Sequence, residues 1–155
     1  MVNKKLDWGG YKSDLEVDEK LMLSIVRTSE RLKKMMGSIF KNYGLTFAQY
    51  NLLRILDSSP NMENTLTVVS RIMLVSGANL TGVAKRLEKN GFIIKRIDTN
   101  DDRRKFLELT TKGKNTLKNI YQEKEACIKK YMSTVSGYEK EEMLTRLKLI
   151  SDKVK

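Results

Sequence analysis

Apolar residues recur at helical spacing towards both ends of the chain. Within residues 14–44 they lie three, four or seven positions apart, at Leu21, Ile25, Leu32, Met36, Ile39 and Tyr43. Such a stripe predicts one long amphipathic helix. Residues 111–155 show the same spacing, with a break at Gly137 that predicts two helices. Residues 1–13 have no clear period, and we expect them to form an extended arm.

The middle of the chain, residues 45–110, combines helical and strand-like patterns. Thr46 with Gln49 is a capping box that predicts a helix start, a short helix follows at 67–73, and another spans 76–90. The period then becomes that of strands at 92–98 and 105–109, which flank a polar loop. Two short helices followed by a basic hairpin are typical of the winged helix-turn-helix. We therefore predict a mainly α fold with a small β-hairpin wing.

The helix predicted over 76–90 has two different sides. Its apolar side carries Leu80, Val83, Ala84 and Leu87. Its other side carries small, polar and basic residues, namely Ser76, Gly77, Ala78, Asn79, Thr81, Gly82, Lys85 and Arg86. This second side suits the major groove of DNA, and Ser76 leaves N–H groups of the first turn available to a phosphate. The two glycines are poor helix formers, which is explained if a partner approaches the backbone closely. The alternative is an ordinary surface helix that tolerates two glycines.

Basic residues also crowd onto the predicted hairpin, at Lys95, Arg96, Arg103, Arg104 and Lys105. An aspartate beside Arg103, either Asp101 or Asp102, can hold its guanidinium by a bidentate pair. An arginine held in this way suits the minor groove, where narrow A·T tracts concentrate negative potential. The alternative is a surface turn that neutralises its own charges. Because the helix and the hairpin occur at the spacing of one motif, the pattern favours DNA binding.

Composition indicates the kind of partner and excludes several kinds of active site. The chain of 155 residues has 30 Lys+Arg against 19 Asp+Glu, a net charge of +11, which points to a polyanion. It has no histidine and one cysteine, Cys127, which excludes Ser-His-Asp catalysis, thiolate clusters and histidine metal sites. We therefore expect no enzyme activity, no metal and no cofactor.

No apolar run approaches ~18 residues, and no signal peptide is evident, so we expect a cytoplasmic protein without a membrane segment.

Several short motifs follow one another in residues 45–113. They are Leu45-Thr46, Val75-Ser76, Asn79-Leu80-Thr81-Gly82, Arg86-Leu87-Glu88-Lys89-Asn90-Gly91-Phe92, the wing residues Asp98, Asp101 and Arg103, and Leu109-Thr110-Thr111-Lys112-Gly113. With them, the stretch resembles the MarR family, named for the multiple antibiotic resistance regulator, and the flanking helices match that family's layout. One departure is Val69-Ser70, where the family usually has leucine-alanine. Serine is nearly as small as alanine, so we expect the helix that contains Ser70 to cross its neighbouring helix as closely as in the family.

The resemblance implies an intertwined, triangular homodimer whose winged motifs reach a pseudo-palindromic site in double-stranded DNA. Its N-terminal and two C-terminal helices would interlock, and Arg103 would be the wing-tip arginine of the minor groove with Asp101 as its partner. Family members usually repress genes, and many release DNA when a small aromatic or anionic ligand binds between the dimer region and the winged domain. Such a crevice could be lined by Met35, Met36, Tyr43 and Tyr50. Aromatic residues and methionines at this spacing are more often core.

We therefore predict a homodimeric transcriptional regulator, a repressor, that contacts phosphates through Ser76, Lys85, Lys95, Lys105 and the wing. Base contacts are expected from Asn79, Thr81 and Lys85. One alternative is a winged-helix module that binds an acidic protein surface, which the basic front of residues 76–105 disfavours. Another is an architectural DNA-binding protein without sequence preference. Cys127, in the predicted dimerisation segment, is interpreted as a buried structural cysteine rather than a thiol sensor.

Overall fold

A computed structural model describes residues 15–97 and 105–154. The predicted arm, residues 1–13, and the wing residues Asp98, Asp101, Asp102, Arg103 and Arg104 lie outside the described residues. The helices are α1 (Val17–Lys41), α2 (Phe47–Asp57), α3 (Leu66–Met73), α4 (Gly77–Lys89), α5 (Thr111–Met132) and α6 (Gly137–Lys153), and the strands are β1 (Glu63–Thr65), β2 (Ile93–Ile97) and β3 (Lys105–Leu109). This order confirms the predicted fold class, a mainly helical chain with a β wing.

The sheet contains a strand that the sequence analysis missed. The strands are antiparallel in the order β1-β3-β2, so that β3 is central. A short 3-10 helix at Pro60–Met62 follows α2. The three polar residues of β1 follow it directly. They show no alternation of apolar and polar positions, so only their pairing with β3 identifies them as a strand.

The predicted helix starts are confirmed by their hydrogen bonds. At α2 the Gln49 N–H donates to the hydroxyl of Thr46 at 3.2 Å, and the Thr46 N–H donates to the Gln49 side chain at 2.8 Å. At α4 the hydroxyl of Ser76 accepts the N–H of Asn79 at 3.3 Å. Thr110 caps α5 in the same way. These caps are local contacts, and the sequence alone identified the capping box at Thr46.

The core lies among α2, α4, β3 and α5. Leu52, Leu53 and Leu56 of α2 are fully buried, as are Leu80 of α4 and Leu107 of β3. Phe40, at the end of α1, stacks on Tyr50 with the ring centroids 3.8 Å apart. Tyr50, one of the four residues considered for a ligand crevice, is thus part of the core.

The chain divides into two compact units, residues 1–36 and 37–155, and the boundary falls inside α1. In the described part of the first unit, α1 exposes the apolar side chains of Val17, Leu21, Met22, Val26 and Leu32. In the second unit, α6 has no buried residue. Among the described helices no single one is long and apolar enough to cross a membrane, and α3 and α4 meet that test only as a pair bent by 111°.

Candidate nucleic-acid interface

The structure gives α4 the two sides that the sequence predicts. Leu80, Ala84 and Leu87 are 0% exposed and face the core. The polar side is exposed from Ser76 to Asn79 and at Thr81, Lys85 and Arg86, and only Gly82 on it is half-buried. The first N–H groups of a helix have no acceptor within the helix. The start of α4 therefore offers backbone donors next to a continuous polar surface.

The two glycines of α4 leave open space on this surface. A Cβ atom built on Gly77 would meet nothing within 4 Å, and one on Gly82 would meet only the guanidinium of Arg86, at 3.8 Å. The hydroxyl of Thr81 donates to the carbonyl oxygen of Gly77 at 2.8 Å, and Nε of Arg86 donates to that of Gly82 at 3.2 Å. Both side chains therefore lie along their own helix and would have to turn outwards to contact a base.

The cations that the sequence analysis assigned to DNA fall into two groups. Lys85 and Lys105 are exposed, and neither has an ion pair with a carboxylate of the described residues. In contrast, Lys95 lies 2.8 Å from the carboxylate of Glu88. Arg96 is ion-paired twice, with Nε 2.8 Å from an oxygen of Glu108 and Nη2 bonded to Glu63. Arg103 and Arg104 lie outside the described residues.

Two further cations reach the surface of the helix-turn-helix and were missed. Arg71 is exposed in the last turn of α3, and Lys89 is exposed in the last turn of α4. The first helix of a helix-turn-helix crosses the DNA backbone, which makes Arg71 a candidate for a phosphate contact. Lys89 lies one turn beyond Lys85, so the i, i+4 spacing could have identified it. Arg71 carries no comparable signal, because α3 contains no second cation at helical spacing from it.

The segment after α4 is fixed to the start of α5 by residues of the motif Leu109-Thr110-Thr111-Lys112-Gly113, which we call the leucine-threonine motif. The hydroxyl of Thr110 lies 2.8 Å from the carbonyl oxygen of Gly91 and 3.0 Å from that of Phe92, and donates to them. Nζ of Lys112 donates to the carbonyl oxygen of Asn90 at 2.7 Å. These bonds satisfy carbonyl groups that a helix end leaves open. They also tie the position of α4 to that of α5.

The four residues considered for a ligand crevice are divided between the two compact units. Met35 and Met36 are half-buried in the first compact unit, whereas Tyr43 and Tyr50 belong to the second. The hydroxyl of Tyr43 lies 3.3 Å from the carboxylate of Glu123, to which it donates. Partial burial, and then the negative charge and hydrogen bond of Glu123, raise the pKa of Tyr43 above 10.0. The Tyr43 hydroxyl therefore stays protonated as a donor.

Cys127 is half-buried on α5. Among residues 15–97 and 105–154, no group of three or more His, Cys, Asp or Glu side chains is arranged to hold a metal ion.

Comparison with known proteins agrees with this architecture. The sequence model of the MarR family matches residues 45–105. The HTH-type transcriptional repressor YetL of Bacillus subtilis is 27% identical over 133 residues, which cover 86% of this chain and 78% of YetL. The uncharacterized HTH-type transcriptional regulator YkoM of the same species is 32% identical over 108 residues, which cover 70% of this chain and 69% of YkoM.

Two solved structures share the fold. Sco3205, a MarR family regulator of Streptomyces coelicolor in complex with DNA, has a TM-score of 0.79 at 21% identity, over 92% of this chain and 91% of Sco3205. The organohalide-sensing regulator RdhR-CbdbA1625, in its 2,4-dichlorophenol-bound form, has a TM-score of 0.83 at 19% identity, over 95% of this chain and 88% of that regulator. The chain therefore belongs to the MarR family and is a DNA-binding transcriptional regulator with a winged helix-turn-helix, not an enzyme.

Proposed function

We propose that the protein represses transcription as a homodimer whose two winged helix-turn-helix units bind the halves of a pseudo-palindromic duplex site. The observation that carries this proposal is the division of α4 into an apolar side, with Leu80, Ala84 and Leu87 fully buried, and an exposed front of small, polar and basic residues. A helix of this kind enters the major groove only if its outer side lacks bulk. The repressor YetL and the DNA complex of Sco3205 are consistent with this role.

The homodimer accounts for the apolar surface of the C-terminal helices. Six apolar side chains of α6 are 40–79% exposed, at Tyr138, Met143, Leu144, Leu147, Leu149 and Ile150. Most helical stability in proteins comes from packing rather than from intrinsic propensity. Since α6 has no buried residue, it needs a partner surface, and a second copy provides one in a closed, symmetric arrangement.

Different side chains contact the phosphates and the bases of the DNA. Lys85 and Lys105, with Arg71 and Lys89, present exposed charges to the DNA backbone and supply most of the affinity and its salt dependence. Asn79 reaches base edges, and asparagine pairs well with adenine. Thr81 joins it when its hydroxyl turns away from the carbonyl oxygen of Gly77. The wing adds Arg103 in the minor groove, held by Asp101. A small aromatic or anionic effector would release the DNA, as the phenol-bound neighbour suggests.

The variant Asn79→Ala tests base recognition without weakening the fold of α4. Alanine favours a helix more than asparagine does, so a loss of binding in this variant does not come from a weakened α4. We expect binding to the intergenic DNA upstream of its own gene to fall by ~1–3 kcal/mol, with little change for a scrambled duplex. The matched control is Asn115→Ala, an exposed asparagine on α5. Fluorescence anisotropy in about 150 mM salt measures both duplexes.

The wild-type titration tests the proposed function itself. Preference for the upstream DNA of ~10³-fold or more establishes a specific regulator. Equal affinity for both duplexes would make the protein an architectural DNA-binding protein, and binding to neither would favour a protein-interaction module.

A further inference from the structure

Two carboxylates of the wing sheet lie directly opposite each other. In the register of β1 with β3, Glu63 pairs with Glu108, and Thr65 pairs with Phe106. Like charges in directly opposite positions destabilise a strand pair. β1 has only three residues and lies at the edge of the sheet. The pairing of β1 with β3 therefore needs a cation between the two carboxylates.

Arg96 of β2 supplies that cation from the other edge of the sheet. Its Nε donates to Glu108 at 2.8 Å, and its Nη2 donates to Glu63 on β1. One guanidinium thus connects all three strands on one face. The planar fork of arginine suits two carboxylates at once. The side chains of Glu63 and Glu108 are 27% and 37% exposed, so solvent screens this network less than it would a fully exposed pair.

The strand that Arg96 holds leads directly into the helix-turn-helix. β1 ends at Thr65, and α3 begins at Leu66, with the hydroxyl of Thr65 accepting the N–H of Val68 at 3.3 Å as its cap. Arg96 therefore joins the wing hairpin to the short strand that ends at the cap of α3. Two of the three guanidinium nitrogens of Arg96, Nε and Nη2, are engaged within the sheet.

We propose that Arg96 is a positioning residue, which fastens β1 to the hairpin and so orients the wing relative to α3 and α4, and not a phosphate ligand. The proposal replaces the sequence-based assignment of Arg96 to the DNA contacts. Its consequence for DNA binding rests on the proposed function. Without Arg96, two uncompensated carboxylates would repel each other across β1 and β3.

The test uses Arg96→Gln, the charge swap Arg96→Glu/Glu108→Arg, and Lys85→Gln as a matched control for an exposed cation. The swap keeps the net charge of +11 and places a cation on the central strand, opposite Glu63. Two quantities are measured on the full chain. Amide hydrogen exchange of residues 63–65 reports whether β1 is held. Anisotropy with the upstream duplex, at several salt concentrations, gives the affinity and the slope of log K against log [salt].

We expect Arg96→Gln to accelerate exchange at residues 63–65 by about tenfold or more and to weaken DNA binding without lowering the salt slope. The swap should restore both exchange and affinity to within about threefold of wild type. Lys85→Gln should leave exchange unchanged and lower the slope by about 0.9, the value for one lost phosphate contact.

Unchanged exchange in Arg96→Gln would overturn the proposal. So would a swap that restores exchange but keeps a slope about 0.9 lower, because that pattern identifies a phosphate ligand. If the wild-type protein failed to prefer the upstream duplex, the proposed function would fail, and the exchange data would still decide whether Arg96 fastens β1.

Discussion

At the scale of residues, the role of Gly113 in the leucine-threonine motif is defined by its contacts in the folded chain. The sequence places Gly113 four residues after Leu109, a spacing that marks the family resemblance without explaining it. In the structure a Cβ atom on Gly113 would lie 2.5 Å from the carbonyl oxygen of Phe92 and 2.6 Å from Cδ1 of Leu109. The close approach of α5 to the backbone just before β2 therefore requires glycine.

Gly113→Ala should destabilise the protein by ~1–3 kcal/mol, because an added methyl group overpacks a contact with backbone. Chemical denaturation at a fixed protein concentration measures the loss. Gly137→Ala is the control, since a Cβ atom there meets nothing within 4 Å of the described residues. Equal stabilities of the two variants would show that the contact of Gly113 with Phe92 and Leu109 has room for a methyl group.

At the scale of elements, α6 has a complete capping box at its start but buries none of its residues against the rest of the chain. It begins with a capping box, in which the Ser136 N–H donates to the Glu139 carboxylate at 2.8 Å. Hydrogen bonds from the hydroxyl and then from the N–H of Ser136 lower the pKa of Glu139 below 4.5. The carboxylate therefore stabilises the folded chain above the unfolded pKa, and this contribution is lost as the pH falls through the lower, folded pKa.

Glu139→Gln should remove this part of the pH dependence, because glutamine keeps an acceptor for the Ser136 N–H and does not titrate. We expect wild type to lose stability below about pH 4.5 more steeply than the variant does. Thermal unfolding between neutral pH and pH 3 measures the difference. Glu141→Gln, which removes a carboxylate of α6 outside the cap, should follow the wild-type curve, and a Glu139→Gln curve parallel to wild type would contradict the assignment.

At the scale of the whole molecule, the apolar side chains left exposed by one chain indicate an assembly. α1 exposes five of them between Val17 and Leu32, and α5 exposes Tyr121, Ile128, Tyr131 and Met132. With α6, all three helices predicted to interlock thus carry uncovered apolar residues. Contiguous exposed patches of this kind mark interaction surfaces.

Leu147→Glu should shift the protein from dimer to monomer, because a carboxylate would be buried in the apolar contact that we propose for α6. Sedimentation equilibrium at low micromolar concentration measures the mass. The stripe under test consists of Met143, Leu147 and Ile150. Thr145→Glu introduces the same charge on the side of α6 away from this stripe and should remain dimeric. A monomeric wild type would contradict the proposed dimer, and a dimeric Leu147→Glu would exclude this stripe as the interface.

The sequence by itself determined what depends on neighbouring residues. The helices, the capping box at Thr46 and the two sides of α4 follow from contacts within about four positions, which a pattern displays directly. Only the tertiary structure decided what depends on distant residues. Arg96 lies 33 positions from Glu63 and 12 from Glu108, so its charge looked available for DNA. The strand β1, the place of Tyr50 in the core and the tight contact of Gly113 depend in the same way on partners that the chain brings together only by folding.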